Sequence, residues 1–298
     1  MIFGFIGLGQ MGAPMAQNLS RVNRVLAFNR SPCSTSLKET KNLELVSNIT
    51  ELTICDCIFL CLPSKDAVET VLFGDNGLAK NLKSDTIIVD TSTVEFNATI
   101  NIAKRLGQMN IHFLDAPVSG MKQRAQDGTL TMMIGGKASI AKRLNPTLET
   151  MASHILYMSN TGCGQLTKLI NQLLFDINMA ALAEILPVAS KLGLPPELIT
   201  KVVNSGTGRS YASEFFLPNI LEGIFDQGYS MQNAYKDLIS GAELGVRECT
   251  PMPVLAAATT TFQNALREGL GDMDKGAMIL VFERLLDTKF RSATYKDK

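Results

Sequence analysis

A chain of 298 residues is long enough for about two domains, and its 46% hydrophobic residues can supply a core for each. Its 28 basic residues balance 28 acidic ones without any basic block, so we expect no nucleic-acid partner. No uninterrupted apolar run reaches the roughly 18 residues of a transmembrane helix, so we expect no membrane association. Because the first predicted strand begins at residue 2, we also expect no signal peptide and a cytoplasmic location.

The first half of the chain alternates short apolar or β-branched runs with helical patterns. This alternation is typical of βαβ units and predicts an α/β fold with a doubly wound, mostly parallel sheet. The predicted strands are residues 2–6, 24–28, 57–62, 86–90, 111–115 and 131–135. The predicted helices are residues 11–20, 33–40, 65–72, 95–107 and 138–151.

After about residue 160 the pattern becomes helical throughout. Residues 164–192 keep a 3.6-residue period that predicts one long helix joining two domains, with a kink at Pro187. Further helices are predicted at 196–204, after Ser210, and at 231–247, 252–268 and 274–287, whereas the tail after Thr288 is expected to fray. We therefore predict a Rossmann-type domain over residues 1–161 and an all-α domain over residues 162–298.

A glycine fingerprint, G-x-G-x-x-G, directly follows the first predicted strand. Gly7 allows the tight turn, Gly9 lets the main chain approach a pyrophosphate, and Gly12 lets the next helix pack closely. The pyrophosphate would then lie at the positive end of that helix. Because a strand precedes this turn and an amphipathic helix follows it, dinucleotide binding is favoured over an ordinary glycine-rich turn.

The end of the second predicted strand reads Asn29-Arg30-Ser31, where this fold meets the adenosine ribose. An acidic residue here would bind the 2′-hydroxyl of NAD, whereas Arg30 can pair with a 2′-phosphate and Ser31 can add a hydroxyl. A capping serine after a surface arginine is the alternative interpretation. The pattern favours NADP, with NAD possible.

The six cysteines raise the question of a metal site. Cys55, Cys57 and Cys61 fall in a predicted buried strand, where alternation would place all three on one face. No histidine or second cysteine pair lies nearby at zinc-like spacing, so we expect core residues, a reduced environment and no metal.

Two further motifs contain residues that can bind or protonate a substrate. In Asp115-Ala-Pro-Val-Ser119-Gly120, the hydroxyl of Ser119 and the N–H of Gly120 could bind an anion, although proline and glycine also mark ordinary turns. On the long helix, Lys168 shares a face with Asn171 or Gln172. A lysine in an apolar setting can act as an acid or stabilise charge, although a helical lysine is more often solvated.

Taken in order, these motifs resemble the β-hydroxyacid dehydrogenase family, which includes 3-hydroxyisobutyrate dehydrogenases and semialdehyde reductases. The resemblance runs from residue 2 to about 285. Its stretches are Gly-Leu-Gly-Gln-Met-Gly-Ala-Pro-Met-Ala-Gln-Asn-Leu at 7–19, Asp-Ala-Pro-Val-Ser-Gly at 115–120, Gly-x-Gly-x-x-x-Lys-x-x-Asn at 162–171 and Lys-Asp-Leu at 236–238.

The resemblance implies hydride transfer between NADP(H) and a small β-hydroxy acid or the corresponding semialdehyde or 2-oxo acid. It implies Lys168 as the catalytic acid or base, with the substrate carboxylate at Ser119 and Gly120 and the reacting oxygen oriented by Asn171. It also implies an aromatic residue, Tyr229, near the nicotinamide, and a homodimer or homotetramer. The implied cofactor residues are Gly7, Leu8, Gly9, Gln10, Met11, Gly12, Asn29, Arg30, Ser31, Leu62, Pro63, Thr93 and Lys236.

Two positions depart from the family pattern. Met121 stands where a second glycine is usual, and Gln172 stands where a second asparagine is usual. A longer side chain at each place would reshape the pocket for the small carboxylate substrate, so both are predicted substrate-binding residues that change specificity more than reaction type.

Three other functions compete with this one. An imine reductase-like enzyme is disfavoured by Lys168, and a phosphogluconate-type dehydrogenase by the shorter chain. A catalytically silent NADP-binding interaction protein is disfavoured because Lys168 and Asn171 are both intact. Loss of NADPH absorbance on addition of semialdehydes would distinguish an enzyme from a silent protein.

Overall fold

A computed structural model describes residues 1–32 and 34–295 of the chain. The chain divides into two compact units, one from Met1 to Lys168 and one from Leu169 onward. The first unit contains the whole sheet, and the second contains helices only apart from one isolated bridge between Ser230 and Asp274, within the described residues.

The first unit is built on one nine-stranded sheet whose strands run in the order β3-β2-β1-β4-β5-β6-β8-β7, with β9 beside β8. All pairings are parallel except those of β8 with β6 and β7, which confirms the predicted mostly parallel sheet. The strands are β1 Phe3–Ile6, β2 Val25–Phe28, β3 Leu43–Leu45, β4 Cys57–Leu60, β5 Ile87–Asp90, β6 His112–Asp115, β7 Val118–Ser119, β8 Leu130–Gly136 and β9 Ala152–Ser159.

Helices connect these strands in the manner of βαβ units. The helices are α1 Gly12–Ser20, α2 Thr35–Lys38, α3 Lys65–Phe73, α4 Phe96–Gln108, α5 Met121–Asp127 and α6 Ala138–Leu148, and short 3₁₀ turns cover Ile49–Ile54 and Ala79–Asn81. The helix predicted at residues 33–40 is present as the shorter α2, and Cys33 lies outside the described residues. Every strand predicted in this half of the chain is present, with ends that differ by two residues or fewer.

Both faces of the sheet are covered, which explains the nearly continuous apolar strands. Phe5 stacks on Phe59 on one face, with ring centroids 6.0 Å apart, whereas Ile58 packs in the core on the opposite face. Cys57 belongs to the first of these cores, but Cys55 precedes β4 and packs in the other. The expectation that Cys55 shares a face with Cys57 is therefore wrong, because strand alternation begins only at Cys57.

The long helix α7, Cys163–Lys191, confirms the predicted helix 164–192. Within the described residues, α7 alone is long and apolar enough to cross a membrane by length and composition, a property that core helices of soluble proteins share. It is followed by α8 Pro196–Ser205, α9 Tyr211–Leu221, α10 Met231–Arg247, α11 Pro253–Arg267, a 3₁₀ turn Lys275–Met278, and α12 Ile279–Leu286.

The core of the second unit is rich in aromatic rings. Phe175 of α7 stacks on Phe216 of α9, with centroids 5.7 Å apart. The segment after Thr288 is part of this unit, because Phe290 is fully buried and its N–H donates to the Glu283 carboxylate at 2.7 Å. The prediction that this tail frays is wrong for the residues described there.

Candidate functional site

The fingerprint turn after β1 has the geometry that a bound dinucleotide requires. Gly7 has a φ of 96°, and a Cβ atom there would overlap the carbonyl oxygen of Cys61. A Cβ on Gly12 would overlap the carbonyl oxygen of Gly7, but a Cβ on Gly9 would meet nothing within 4 Å. Protein atoms thus confine the two outer glycines, whereas the middle one faces open space, as expected where a pyrophosphate approaches.

Asn29, at the end of β2, holds this turn in place. The N–H of Leu8 donates to Asn29 Oδ1 at 2.9 Å, and Asn29 Nδ2 donates to the carbonyl of Ser31 at 2.9 Å. Asn29 therefore bonds to the protein main chain, and Arg30 and Ser31 are exposed at the end of β2. Gln10 is exposed as well, and Met11 makes no side-chain cap at the start of α1.

The segments after β4 and β5 are tied together by Ser92. Its Oγ accepts a hydrogen bond from the N–H of Leu62 at 2.9 Å, and its own N–H donates to Asp90 Oδ1 at 3.0 Å. Pro63 and Thr93 are exposed beside these bonds. Since β1, β2, β4 and β5 are parallel, the predicted cofactor residues of this unit all follow strands at the same edge of the sheet.

Two buried carboxylates lie side by side at that edge and were not predicted as site residues. Asp90 and Asp115 are paired in register across β5 and β6, and both are fully buried. Burial raises the pKa of Asp90 to about 7, hydrogen bonds from Ser92 oppose the rise, and the charge of Asp115 adds to it. Burial also raises the pKa of Asp115, although backbone N–H donors from Gly162 and Gln165 counteract this.

The Ser119–Met121 segment joins β7 to α5. Gly120 has a φ of 138°, and Met121 has a φ of 59°, in the left-handed region that favours glycine. Ser119, Gly120 and Met121 are all half-buried. The departure at Met121 is thus a methionine held in a backbone conformation that suits the glycine it replaces.

Lys168 lies on α7 with only 8% of its surface exposed, unlike an ordinary solvated helical lysine. Asn171, one turn further on, is exposed. In the second unit, Gln172 donates from Nε2 to Asp237 Oδ2 at 3.3 Å, and Asp237 is itself 8% exposed. Asp237 was noted in sequence only as the neighbour of Lys236, so its contact with Gln172 comes from the structure.

Tyr229, in the second unit, is 41% exposed. Its pKa is raised by burial first, and by the charges of Asp237 and Asp176. Lys275 forms an ion pair with Asp176, and Lys275 Nζ lies 5.8 Å from the centre of the Tyr229 ring. Lys236 is exposed, with Nζ 3.3 Å from Asn233 Oδ1.

The first unit also has a cavity of about 510 Å³ that lies away from the predicted site residues. It is lined by the C-terminal part of α1, including Gln17 and Arg21, together with Thr40 to Asn42 and Gln126. None of the predicted site residues lines it. The fingerprint glycines, and not this cavity, therefore indicate where a dinucleotide fits.

Family models match both halves of the chain. Residues 2–159 match the NAD binding domain of 6-phosphogluconate dehydrogenase, and residues 162–282 match the model described as NAD-binding of NADP-dependent 3-hydroxyisobutyrate dehydrogenase. The chain is 36% identical to 2-(hydroxymethyl)glutarate dehydrogenase of Eubacterium barkeri over 285 residues, and this match covers 95% of each chain. It is 30% identical over 292 residues to 2-hydroxy-3-oxopropionate reductase of Escherichia coli (strain K12), covering 97% of this chain and 99% of the other.

Solved structures of similar fold point to the same family. The crystal structure of 3-hydroxyisobutyrate dehydrogenase from Salmonella typhimurium has a TM-score of 0.87 and 28% identity, covering 95% of this chain and 100% of that one. Psf3 in complex with NADP⁺ and 2-OPP has a TM-score of 0.83 and 26% identity, covering 95% of this chain and 99% of that one. The resemblance stated from the motifs is confirmed, and the chain belongs to the β-hydroxyacid dehydrogenase family as an NAD(P)-dependent oxidoreductase.

Proposed function

We propose that the chain transfers a hydride between NADP(H) and a small carboxylate substrate, a β-hydroxy acid or the corresponding semialdehyde or 2-oxo acid, with Lys168 as the catalytic acid or base. The observation that carries the proposal is the burial of Lys168, 8% exposed, near the start of α7 and within the unit that holds the dinucleotide turn. A lysine ammonium is rarely buried unless it is paired or takes part in chemistry, and Lys168 is buried in the motif stretch that the family resemblance assigns to catalysis.

The reduced nicotinamide, when bound, supplies the hydride. As the carbonyl carbon is reduced, its oxygen gains negative charge, and Lys168 donates a proton to that oxygen from its ammonium group. In the direction of oxidation, neutral Lys168 accepts the hydroxyl proton. We assign the substrate carboxylate to the Ser119 hydroxyl and the Gly120 N–H, and the orientation of the reacting oxygen to Asn171.

The names of the relatives suggest the class of substrate. They act on 2-(hydroxymethyl)glutarate, on 2-hydroxy-3-oxopropionate, and on glyoxylate or succinic semialdehyde. These molecules share a carboxylate and a carbonyl or hydroxyl carbon close to it. We therefore propose a substrate with both groups and test it with NADPH, succinic semialdehyde and glyoxylate.

The test compares succinic semialdehyde with butanal, which has the same chain length and no carboxylate. We expect NADPH absorbance to fall with the acid, and kcat/KM for butanal to be lower by roughly a hundredfold because charged hydrogen bonds to the carboxylate are lost. Equal kcat/KM for the two aldehydes would contradict the assignment of a carboxylate site at Ser119 and Gly120.

Cofactor preference is predicted to depend on Arg30. Because Arg30 is exposed at the end of β2, it can pair with the 2′-phosphate, a charged hydrogen bond of about 1.5–3 kcal/mol. We expect NADPH to bind more tightly than NADH, and Arg30→Ala to weaken NADPH binding by roughly tenfold to a hundredfold. Dissociation constants for both cofactors, measured by titration, check this. Arg24→Ala, an exposed arginine before the same strand, is the control that should change neither constant.

Substrate selection is predicted to depend on Met121 and Gln172. We expect Met121→Gly and Gln172→Asn each to change the ratio of kcat/KM between glyoxylate and succinic semialdehyde by roughly tenfold, the effect of a methylene-sized change in a pocket. Met121→Ala is the matched control, because it removes the long side chain but keeps a Cβ atom at a φ of 59°.

The two Met121 variants should therefore separate specificity from stability. Both should shift the ratio of kcat/KM between the two substrates. The free energy of unfolding of Met121→Gly should be about 1 kcal/mol higher than that of Met121→Ala, because only glycine adopts the left-handed conformation without strain. Ratios that stay within twofold of the unmodified protein in all three variants would place Met121 and Gln172 outside the substrate pocket.

We also propose a homodimer or homotetramer assembled through the helical unit. Support comes from apolar side chains that are more than 40% exposed in that unit, namely Ile185, Val188, Leu192, Leu198 and Val202. The predicted domains, residues 1–161 and 162–298, divide the chain at the start of α7, whereas the two compact units divide within that helix, after Lys168. A cytoplasmic location is supported by the free thiols at all five cysteines that the structure describes. The mass of the assembly in solution distinguishes a dimer from a tetramer.

A further inference from the structure

Gln165 lies in the first turn of α7, is 3% exposed, and was not among the predicted site residues. Both ends of its side-chain amide bond to the segment after β5. Oε1 accepts the N–H of Val94 at 3.1 Å, and Nε2 donates to the carbonyl of Ser92 at 2.7 Å. A single amide therefore bonds to the main chain on both sides of Thr93, which is predicted to contact the cofactor.

The main chain of the same helical turn is fixed by Asp115. Its Oδ1 accepts the N–H of Gly162 at 2.8 Å, and its Oδ2 accepts the N–H of Gln165 at 3.0 Å. A Cβ atom on Gly164 would overlap the carbonyl oxygen of Met133 and come within 2.8 Å of that of Asp115, so the close approach of the helix to β8 and β6 requires glycine there. The start of α7 is thus attached to the ends of both β5 and β6.

Lys168 is three residues beyond Gln165 on the same helix, so the two side chains lie on neighbouring positions of one face. Any rotation or shift of the first turn of α7 relative to the Ser92–Val94 segment would change the position of Lys168 relative to Thr93. Small displacements matter, because a misplacement of about 1 Å can lower a catalytic rate roughly a hundredfold.

We propose that Gln165 is a positioning residue for the hydride-transfer reaction: its buried amide fixes the turn that carries Lys168 against the cofactor-contacting segment at Thr93. This inference rests on the proposed function of Lys168 and deepens it. Gln165 acts only through the positions of Thr93 and Lys168. We assign it no contact with the reacting atoms.

Gln165→Leu removes both hydrogen bonds at similar volume. We expect its kcat to fall at least tenfold, while the KM for succinic semialdehyde changes less than threefold, because the carboxylate site at Ser119 and Gly120 is untouched. Leu144→Ala, which removes a fully buried side chain of α6 in the same unit, is the control for lost stability. It should lower the unfolding midpoint but leave kcat within twofold.

The pH dependence of kcat in Gln165→Glu distinguishes a positioning role from a purely structural one. An ionised carboxylate can still accept from Val94 but faces the Ser92 carbonyl with a second acceptor, whereas the protonated form has an O–H that can donate to it. We therefore expect the ratio of its kcat to that of the unmodified protein to rise at least fivefold as the pH falls from 8 to 5.5. The ratio for Leu144→Ala should stay constant over that range.

The outcomes separate this inference from the proposed function. If Lys168→Met lowers kcat as expected but Gln165→Leu keeps kcat within twofold, or if the Gln165→Glu ratio does not change with pH, Gln165 is not a positioning residue. If Lys168→Met retains full turnover, the proposed function fails, and this inference fails with it. Should Gln165→Leu not fold, the pH dependence of Gln165→Glu decides the question.

Discussion

Replacing Lys168 with methionine is expected to lower kcat by roughly 10²–10³, the loss seen when one preorganised donor to a developing oxyanion is removed. Methionine keeps most of the side-chain volume but has no ammonium, so the carbonyl oxygen loses both its proton donor and its compensating charge. The affinity for NADPH should change by less than threefold, because Lys168 is not assigned to the cofactor. Steady-state kinetics and a separate cofactor titration measure the two effects.

Lys191→Met is the matched control for this variant. Lys191 lies in the last turn of the same helix and is exposed, so its replacement should leave kcat within twofold. If Lys168→Met instead loses NADPH binding while keeping turnover, Lys168 is a cofactor residue and the proton-transfer assignment is wrong.

The buried ion pair of the second unit should have the largest effect on stability. The side chains of Lys275 and Asp176 are both 0% exposed, and Lys275 Nζ lies 4.2 Å from the centre of the Phe175 ring. Lys275→Met leaves the Asp176 carboxylate buried without its cation. We expect the free energy of unfolding of this unit to fall by about 3–5 kcal/mol, measured by urea denaturation.

Combining Lys275→Met with Asp176→Asn tests whether the charge is the cause. The double variant has no buried charge at this site, so it should recover at least half of the stability lost by Lys275→Met alone. Additive losses in the two single variants would mean that the pair contributes by packing alone.

The parts of the fold that sequence predicts well are those with a strong local pattern. The apolar runs of β4 and β5 and the glycine fingerprint after β1 were all found, because each is visible within a few neighbouring residues. Four strands and α-helices were missed, as were the short 3₁₀ turns Ile49–Ile54 and Ala79–Asn81. Helix α5 has few apolar residues, β3 and β7 have three residues or fewer, and β9 is an edge strand with most of its side chains exposed.

The candidate site shows the same division between local and distant information. Gly7, Gly9 and Gly12 carry a recognisable motif, and Asn29 follows a predicted strand. The role of Gln165 depends on residues about 70 positions earlier in the chain, and the Lys275–Asp176 pair joins residues 99 positions apart. A single lysine such as Lys275 is expected at the surface from its residue type, and only the packed fold shows that it is buried.

The most direct test of the central claim follows the hydride itself. NADPH deuterated at one or the other position of nicotinamide C4 is incubated with the protein and succinic semialdehyde, and the hydroxy acid product is analysed by mass spectrometry. The account predicts that one of the two labelled cofactors transfers its deuterium to the product carbon and the other does not, and that Lys168→Met slows this transfer by roughly 10²–10³. A product that forms without deuterium from either cofactor, or NADPH that is never consumed with any carboxylate aldehyde, would contradict it.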